Sequence, residues 1–129
     1  MVNLLSAAAL ACLIQNGYHE ARGESLLGIV AVTEVVLNRV DDNRWPDTVC
    51  EVVWQKNQFS WTTDGISDDM DDIIAYHKVK HAVEYALKNR SIYATHYHQK
   101  DIIPIWSKHP RMDYLFTIGA HRFYYEDTQ

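Results

Sequence analysis

A chain of 129 residues, 47% hydrophobic and 22% charged, carries enough apolar material for one hydrophobic core and leaves no room for a second, so residues 1–129 read as a single soluble domain. Its 12 basic residues are scattered and outnumbered by 17 acidic ones, for a formal net charge of -5, which argues against nucleic acid as a partner. No stretch reaches the roughly 20 apolar residues of a membrane span, so no membrane insertion is expected.

Met1 to Leu13 is apolar and Ala-rich, but the first basic residue is Arg22, so the charged start of a signal peptide is missing and the segment reads as a buried first helix. Asn3 or Ser6 can cap that helix, which is expected to run to about Gln15 and stop at Asn16-Gly17, with the chain restarting near His19. Ser25 can cap a second helix, where Leu26, Val30, Leu37 and Val40 fall on one stripe and Val32, Val35 and Val36 widen it. Asp41-Asp42-Asn43 ends it, and Trp45-Pro46-Asp47-Thr48 opens a shorter helix through Trp54.

The run Gln58 to Gly65, with aromatics alternating with hydroxyls, predicts a short strand and turn. The acidic stretch Ser67 to Asp72 supplies caps to a helix over Ile73–Lys88. The last third is β-like over Ile92–His98 and Ile118–Tyr125, with Ile102–Trp106 following a break. The whole is an α+β domain, helices first and a small irregular β region last. Cys12 and Cys50 lie in apolar helical patterns and are expected to be free thiols.

Three groups of residues could carry chemistry. In His19-Glu20-Ala21-Arg22-Gly23-Glu24, a helical turn would put Glu20 and Glu24 on one face with Arg22 beside them, an arrangement that can separate two carboxyl pKa values; the spacing alone favours an exposed, salt-bridged helix end. His77 and His81, and His96 and His98, are spaced so that each pair could point one way, but they lack the Glu of a zinc-peptidase helix, and no metal or other cofactor is expected. Four Trp and eight Tyr, among them Trp61, Tyr97, Trp106 and Tyr124, offer flat rings with polar edges that suit sugars, although such rings also build cores.

Taken in order, Glu20-Ala-Arg-Gly-Glu24, Gly28-Ile-Val-Ala-Val, Val35-Val-Leu-Asn-Arg-Val40, Trp45-Pro-Asp-Thr-Val-Cys50, Val52-Val-Trp-Gln55, Gln58-Phe-Ser-Trp61, Ala94-Thr-His-Tyr-His98, Pro104-Ile-Trp106 and Ile118-Gly-Ala-His-Arg-Phe-Tyr124 resemble the SleB-type cell wall hydrolase family across nearly the whole chain. The resemblance implies a lysozyme-like fold, a groove for peptidoglycan glycan strands, and the first Glu of E-A-R-G-E, here Glu20, as general acid. It further implies a lytic transglycosylase, in which Glu20 protonates the leaving oxygen, then takes the proton of the muramic C6 hydroxyl as that oxygen closes a 1,6-anhydro ring.

Glu24, Arg22, Ser60, Trp61, His96, His98, Trp106, His121 and Tyr124 are expected to bind substrate or support Glu20. Tyr97 is a further candidate, with Ser60 and His98, for binding substrate or orienting Glu20, although alternation along the β-like run would put His96 and His98 on the glycan side and Tyr97 in the core. True hydrolysis would need a second carboxylate about 5 to 9.5 Å away, for which Glu24 and Glu34 are the candidates. A catalytically silent glycan-binding module and a metal-dependent amidase are the rival readings. The protein is expected to be a monomer made in the cytoplasm without a signal peptide, reaching the bacterial wall through a phage holin or an export partner.

Overall fold

A computed structural model of the chain describes residues 6–128. Helix α1, Ala7–Ala21, starts where the Ser6 hydroxyl accepts the Ala9 N–H at 3.0 Å; the alternative cap, Asn3, lies outside the described residues. Asn16-Gly17 does not stop it. The Asn16 side chain is buried and accepts the Trp61 indole N–H at 2.8 Å, so it is occupied by a tertiary partner instead of by its own backbone. Gly17 is a packing glycine: a Cβ there would come within 3.0 Å of Val79 on the neighbouring helix. The unbroken helix carries His19 and Glu20 to its last turn.

Helix α2, Leu26–Val40, is capped by Ser25 as its sequence indicates, and every residue from Gly28 to Leu37 is buried. It is the central helix. Helix α3 is shorter than expected, Val49–Val53, because Thr48 is the cap, and Trp45 instead lies beneath the guanidinium groups of Arg39 and Arg44. Cys12 of α1 and Cys50 of α3 form a disulfide, with Cα atoms 5.5 Å apart, contrary to the expectation of free thiols. The apolar patterns that hid both cysteines are the faces along which α1 and α3 pack on each other.

Residues 60–62 form a 3-10 turn where a strand was expected. Phe59 and Trp61 are both buried, and the Thr62 hydroxyl donates to the Phe59 carbonyl at 2.7 Å, a local bond that competes with strand pairing. Helix α4, Ile73–Lys88, has the predicted bounds; the Asp72 carboxylate accepts the Ala75 N–H at 3.0 Å. It packs Val79, Ala82, Val83 and Ala86 against α1 and α2.

The sheet has three antiparallel strands in the order β1-β3-β2: β1 His96–Gln99, β2 Met112–Ile118 and β3 His121–Glu126. β2 went unrecognised in the sequence, and Ile102–Trp106 is loop leading into a 3-10 turn over Ile105–Lys108. Tyr97 pairs with Phe123 and Gln99 with His121, so Tyr97, Gln99, His121 and Phe123 share one face; His96, His98, Arg122 and Tyr124 share the other. α2 anchors the chain entering β1: Asn38 donates to the carbonyls of Ile92 and Ala94, and Arg39 Nε donates to that of Thr95 at 2.8 Å. Among the described residues, no helix is long and apolar enough to cross a membrane.

Candidate active site

The last turn of α1, the segment 57–64, the end of β1 and the loop 102–106 enclose an open cleft of about 660 Å³. Glu20 lines it, its carboxyl delivered there because Gly17 lets α1 pass close to α4 without a break. Tyr97 of β1 donates its hydroxyl to Glu20 Oε1. Burial raises the Glu20 pKa above the ordinary value of 4.5, against the opposing effects of the Tyr97 hydrogen bond, Arg39 and His19. With Oε1 accepting from Tyr97, Oε2 is the oxygen left to carry the acidic proton. Tyr97 in turn is held far above its usual pKa, by burial first and by Glu20 second, so it stays a donor.

Tyr97 is therefore a site residue, not the core residue that strand alternation suggested. The cleft runs across the end of β1, so both faces of the strand contribute: Tyr97 and Gln99 from one, His98 from the other. His98 lines the cleft, with Nε2 2.9 Å from the Tyr124 hydroxyl and its ring stacked on Tyr124. Ser60, Trp61, Trp106 and His121 line it as well. Trp61 does so from a mostly buried position, its ring stacked under His19.

The remaining expected residues lie elsewhere. Tyr124 is buried and reaches the cleft through His98 and Trp106, both of which its ring contacts. His96 sits between Trp45 and Trp106, with Nδ1 3.0 Å from the Thr95 hydroxyl; burial, Arg39 and Arg44 push its pKa down to about 3, so it is a neutral packing group. Arg22 is exposed over the Tyr18 ring, at an adjoining depression that shares His19, Trp61 and Asp64 with the cleft, and does not itself line the cleft. The cation acting on Glu20 is Arg39, buried beside Phe59, with one nitrogen donating to Gln58 Oε1 at 3.3 Å.

Glu24 faces the β2–β3 turn. Its Oε1 accepts the Ala120 N–H at 3.0 Å, and Lys78 of α4 donates to its backbone carbonyl. Gly119 is required there twice over: its φ is +55°, and a Cβ would overlap the Glu24 carboxylate. Glu34 is fully buried in α2 and accepts the backbone N–H groups of Ser91 and Ile92, so it braces the approach to β1.

Asn16, Arg39, Gln58 and Asp64 were missed as site residues. Asn16 lies one helical turn before Glu20, bridging Trp61 to the neighbourhood of Tyr97. An Arg inside the apolar stripe of α2 was the available signal for Arg39. His77 and His81 are exposed on α4, and among the described residues no group of three His, Cys, Asp or Glu side chains could hold a metal ion.

An acid-bearing cleft at the junction of a helical layer and a small antiparallel sheet defines a lysozyme-like α+β domain. The family model described as Cell Wall Hydrolase matches residues 23–124, and the chain belongs to that family. The matched span begins just after Glu20, so the placement of the acid rests on its geometry.

A spore cortex-lytic enzyme of Bacillus cereus is 46% identical over 48 residues, 37% of this chain and 18% of the relative. That of Halalkalibacterium halodurans is 42% identical over 53 residues, 41% of this chain and 16% of the relative. The matched stretch thus spans less than a fifth of these relatives. The catalytic domain of the germination-specific lytic transglycosylase SleB from Bacillus anthracis superposes with a TM-score of 0.75 at 28% identity, covering 95% of this chain and 98% of that one. The catalytic domain of Bacillus cereus SleB gives 0.76 at 28% identity, covering 95% and 93%.

Proposed function

We propose that this chain cleaves the β-1,4 bond between N-acetylmuramic acid and N-acetylglucosamine in peptidoglycan, as a lytic transglycosylase that leaves 1,6-anhydro ends. The observation that carries the reading is Glu20: a carboxyl lining an open cleft, its pKa raised by burial, with one oxygen fixed by Tyr97 and the other free to donate. Such a group stays protonated where an exposed glutamate would not, which protonation of a poor alkoxide leaving group requires. The aromatic walls Trp61 and Trp106 and the polar edges of Ser60, Gln58 and His98 suit the C–H faces and hydroxyls of sugar rings. The structural likeness to SleB catalytic domains supports the same substrate.

Glu24 and Glu34 each accept backbone N–H groups and neither lines the cleft, which speaks against either as the second carboxylate of a hydrolytic mechanism. Among the described residues, the other carboxylate lining the cleft is Asp64, and it favours the second reading, a hydrolytic muramidase. Asp64 is exposed and its Oδ1 accepts the Ile66 N–H at 2.9 Å, a loop role that does not call for a catalytic one. A silent glycan-binding module would have no use for a buried acid held by Tyr97. The Cys12–Cys50 disulfide suits a chain that completes its folding in an oxidising compartment outside the cytoplasm, where the wall lies. Delivery through a holin or an export partner, and action as a monomer, belong to the same proposal.

Mass spectrometry of digested sacculi tests it, since anhydro and reducing muropeptides differ by one water. Wild type and Asp64→Asn should both yield anhydro ends. Reducing ends from wild type, lost in Asp64→Asn, would establish the hydrolytic reading instead.

A further inference from the structure

Asn16 stands one helical turn before Glu20 on α1 and is 1% exposed. A carboxamide sealed in a core destabilises the fold unless both of its ends find partners. One end has: Oδ1 accepts the Trp61 indole N–H at 2.8 Å. An indole nitrogen can only donate, so this bond fixes which way round the amide sits, with oxygen toward Trp61 and nitrogen away from it. Nδ2 is sealed from solvent and meets no acceptor at ordinary hydrogen-bond geometry. The group it acts on is the Tyr97 hydroxyl, whose pKa is raised by burial and by Glu20 and drawn back by Arg39 and Asn16.

An amide nitrogen has no lone pair to offer, so a phenol oxygen beside it can only accept from it. The single phenol proton then has to point elsewhere, and it points to Glu20 Oε1. That direction matters once Glu20 is protonated. A neutral carboxyl has one oxygen that carries the proton and one that accepts. Were Tyr97 free to accept from Glu20, the acid could hold its proton on Oε1, engaged by Tyr97 instead of the leaving oxygen.

We propose that Asn16 is a positioning residue: held by Trp61 and donating to Tyr97, it makes Tyr97 a one-way donor to Glu20 Oε1 and so keeps the acidic proton on Oε2. Asn16 acts through Tyr97. The role rests on the reading of Glu20 as general acid and holds whether the product is an anhydro or a reducing end.

The groups that act on Glu20 are Tyr97 from β1, Arg39 from α2 and His19 beside it on α1, against the larger effect of burial. All stay in place when Asn16 alone is replaced. Loss of Asn16 lets protonated Glu20 donate to Tyr97, which stabilises the neutral carboxyl and moves its pKa further up.

The test is a double-mutant cycle of Asn16→Leu and Tyr97→Phe, reading kcat against pH on purified sacculi. Asn16→Leu should lower kcat by about tenfold more in wild type than in the Tyr97→Phe background, and should move the basic limb to higher pH only in wild type. Loss of the acceptor for Trp61 acts in both backgrounds and cancels. Equal falls in the two backgrounds, or a basic limb unmoved by Asn16→Leu in wild type, would assign Asn16 to packing alone and overturn the proposal.

Should Asn16→Leu lose the wild-type circular dichroism, the side-chain amide protons of Asn16 decide by NMR. One of them should resonate downfield in wild type and move upfield in Tyr97→Phe; a pair that does not move refutes the contact. Near-normal clearing by a folded Glu20→Gln protein would remove the acid and this role together. An inactive Glu20→Gln beside independent effects of Asn16 and Tyr97 would remove this role alone.

Discussion

Tyr97 acts on Glu20 in two opposed senses. Its hydrogen bond stabilises the carboxylate and so lowers a pKa that burial has raised, while fixing which oxygen holds the proton. Tyr97→Phe removes both effects at almost constant volume. The Glu20 pKa should then rise further, carrying the basic limb of the activity profile to higher pH, while kcat falls because the acid loses its orientation. A pH-rate comparison checks this, and a basic limb moving to lower pH would contradict it. Glu20 also bears on stability. A carboxyl whose folded pKa lies above its unfolded one contributes stability that is fully present below the unfolded value and lost as pH rises through the folded value. At neutral pH the site therefore costs the fold something that the proposed chemistry would require.

At the level of elements, α1 and α3 are stapled by a bridge spanning 38 residues, and α1 is the helix that aims Glu20. The chain-entropy estimate for a loop of that length is about 4 kcal/mol. Reduction, or replacement of both cysteines by serine, should lower Tm markedly. Thiol titration of denatured, unreduced protein should find no free thiol; two would contradict the bridge.

What the sequence made legible follows from which forces are local. α2 and α4 were readable because Ser25, Asp72 and the apolar stripes act within a few residues. The break expected at Asn16-Gly17 was wrong because both residues answer to distant partners, Trp61 and Val79. The disulfide and β2 were missed for the same reason, since each depends on what it meets across the fold. Strand alternation did place Tyr97 opposite His96 and His98. It could not tell that the cleft would cross the end of β1 and expose both faces. Glu20, Trp106 and His98, which line the cleft, were singled out through the family pattern; Arg39 was missed because the partners of its guanidinium, Thr95 and Gln58, lie across the fold.

Over the whole molecule, the cleft exists only where four separate stretches meet: the end of α1, the 57–64 segment, the end of β1 with its following loop, and the start of β3. A net charge of -5 gives no general attraction to an anionic wall, so the proposed substrate would have to be recognised by the aromatic and polar walls of that cleft. Everything then converges on one proton. Glu20→Gln removes it at almost constant volume, and turbidity clearing of purified sacculi measures the consequence most directly. Clearing should fall on the order of 100-fold or more while circular dichroism is unchanged and Tm at neutral pH is equal or higher. A folded Glu20→Gln protein that clears sacculi at near the wild-type rate would contradict the account.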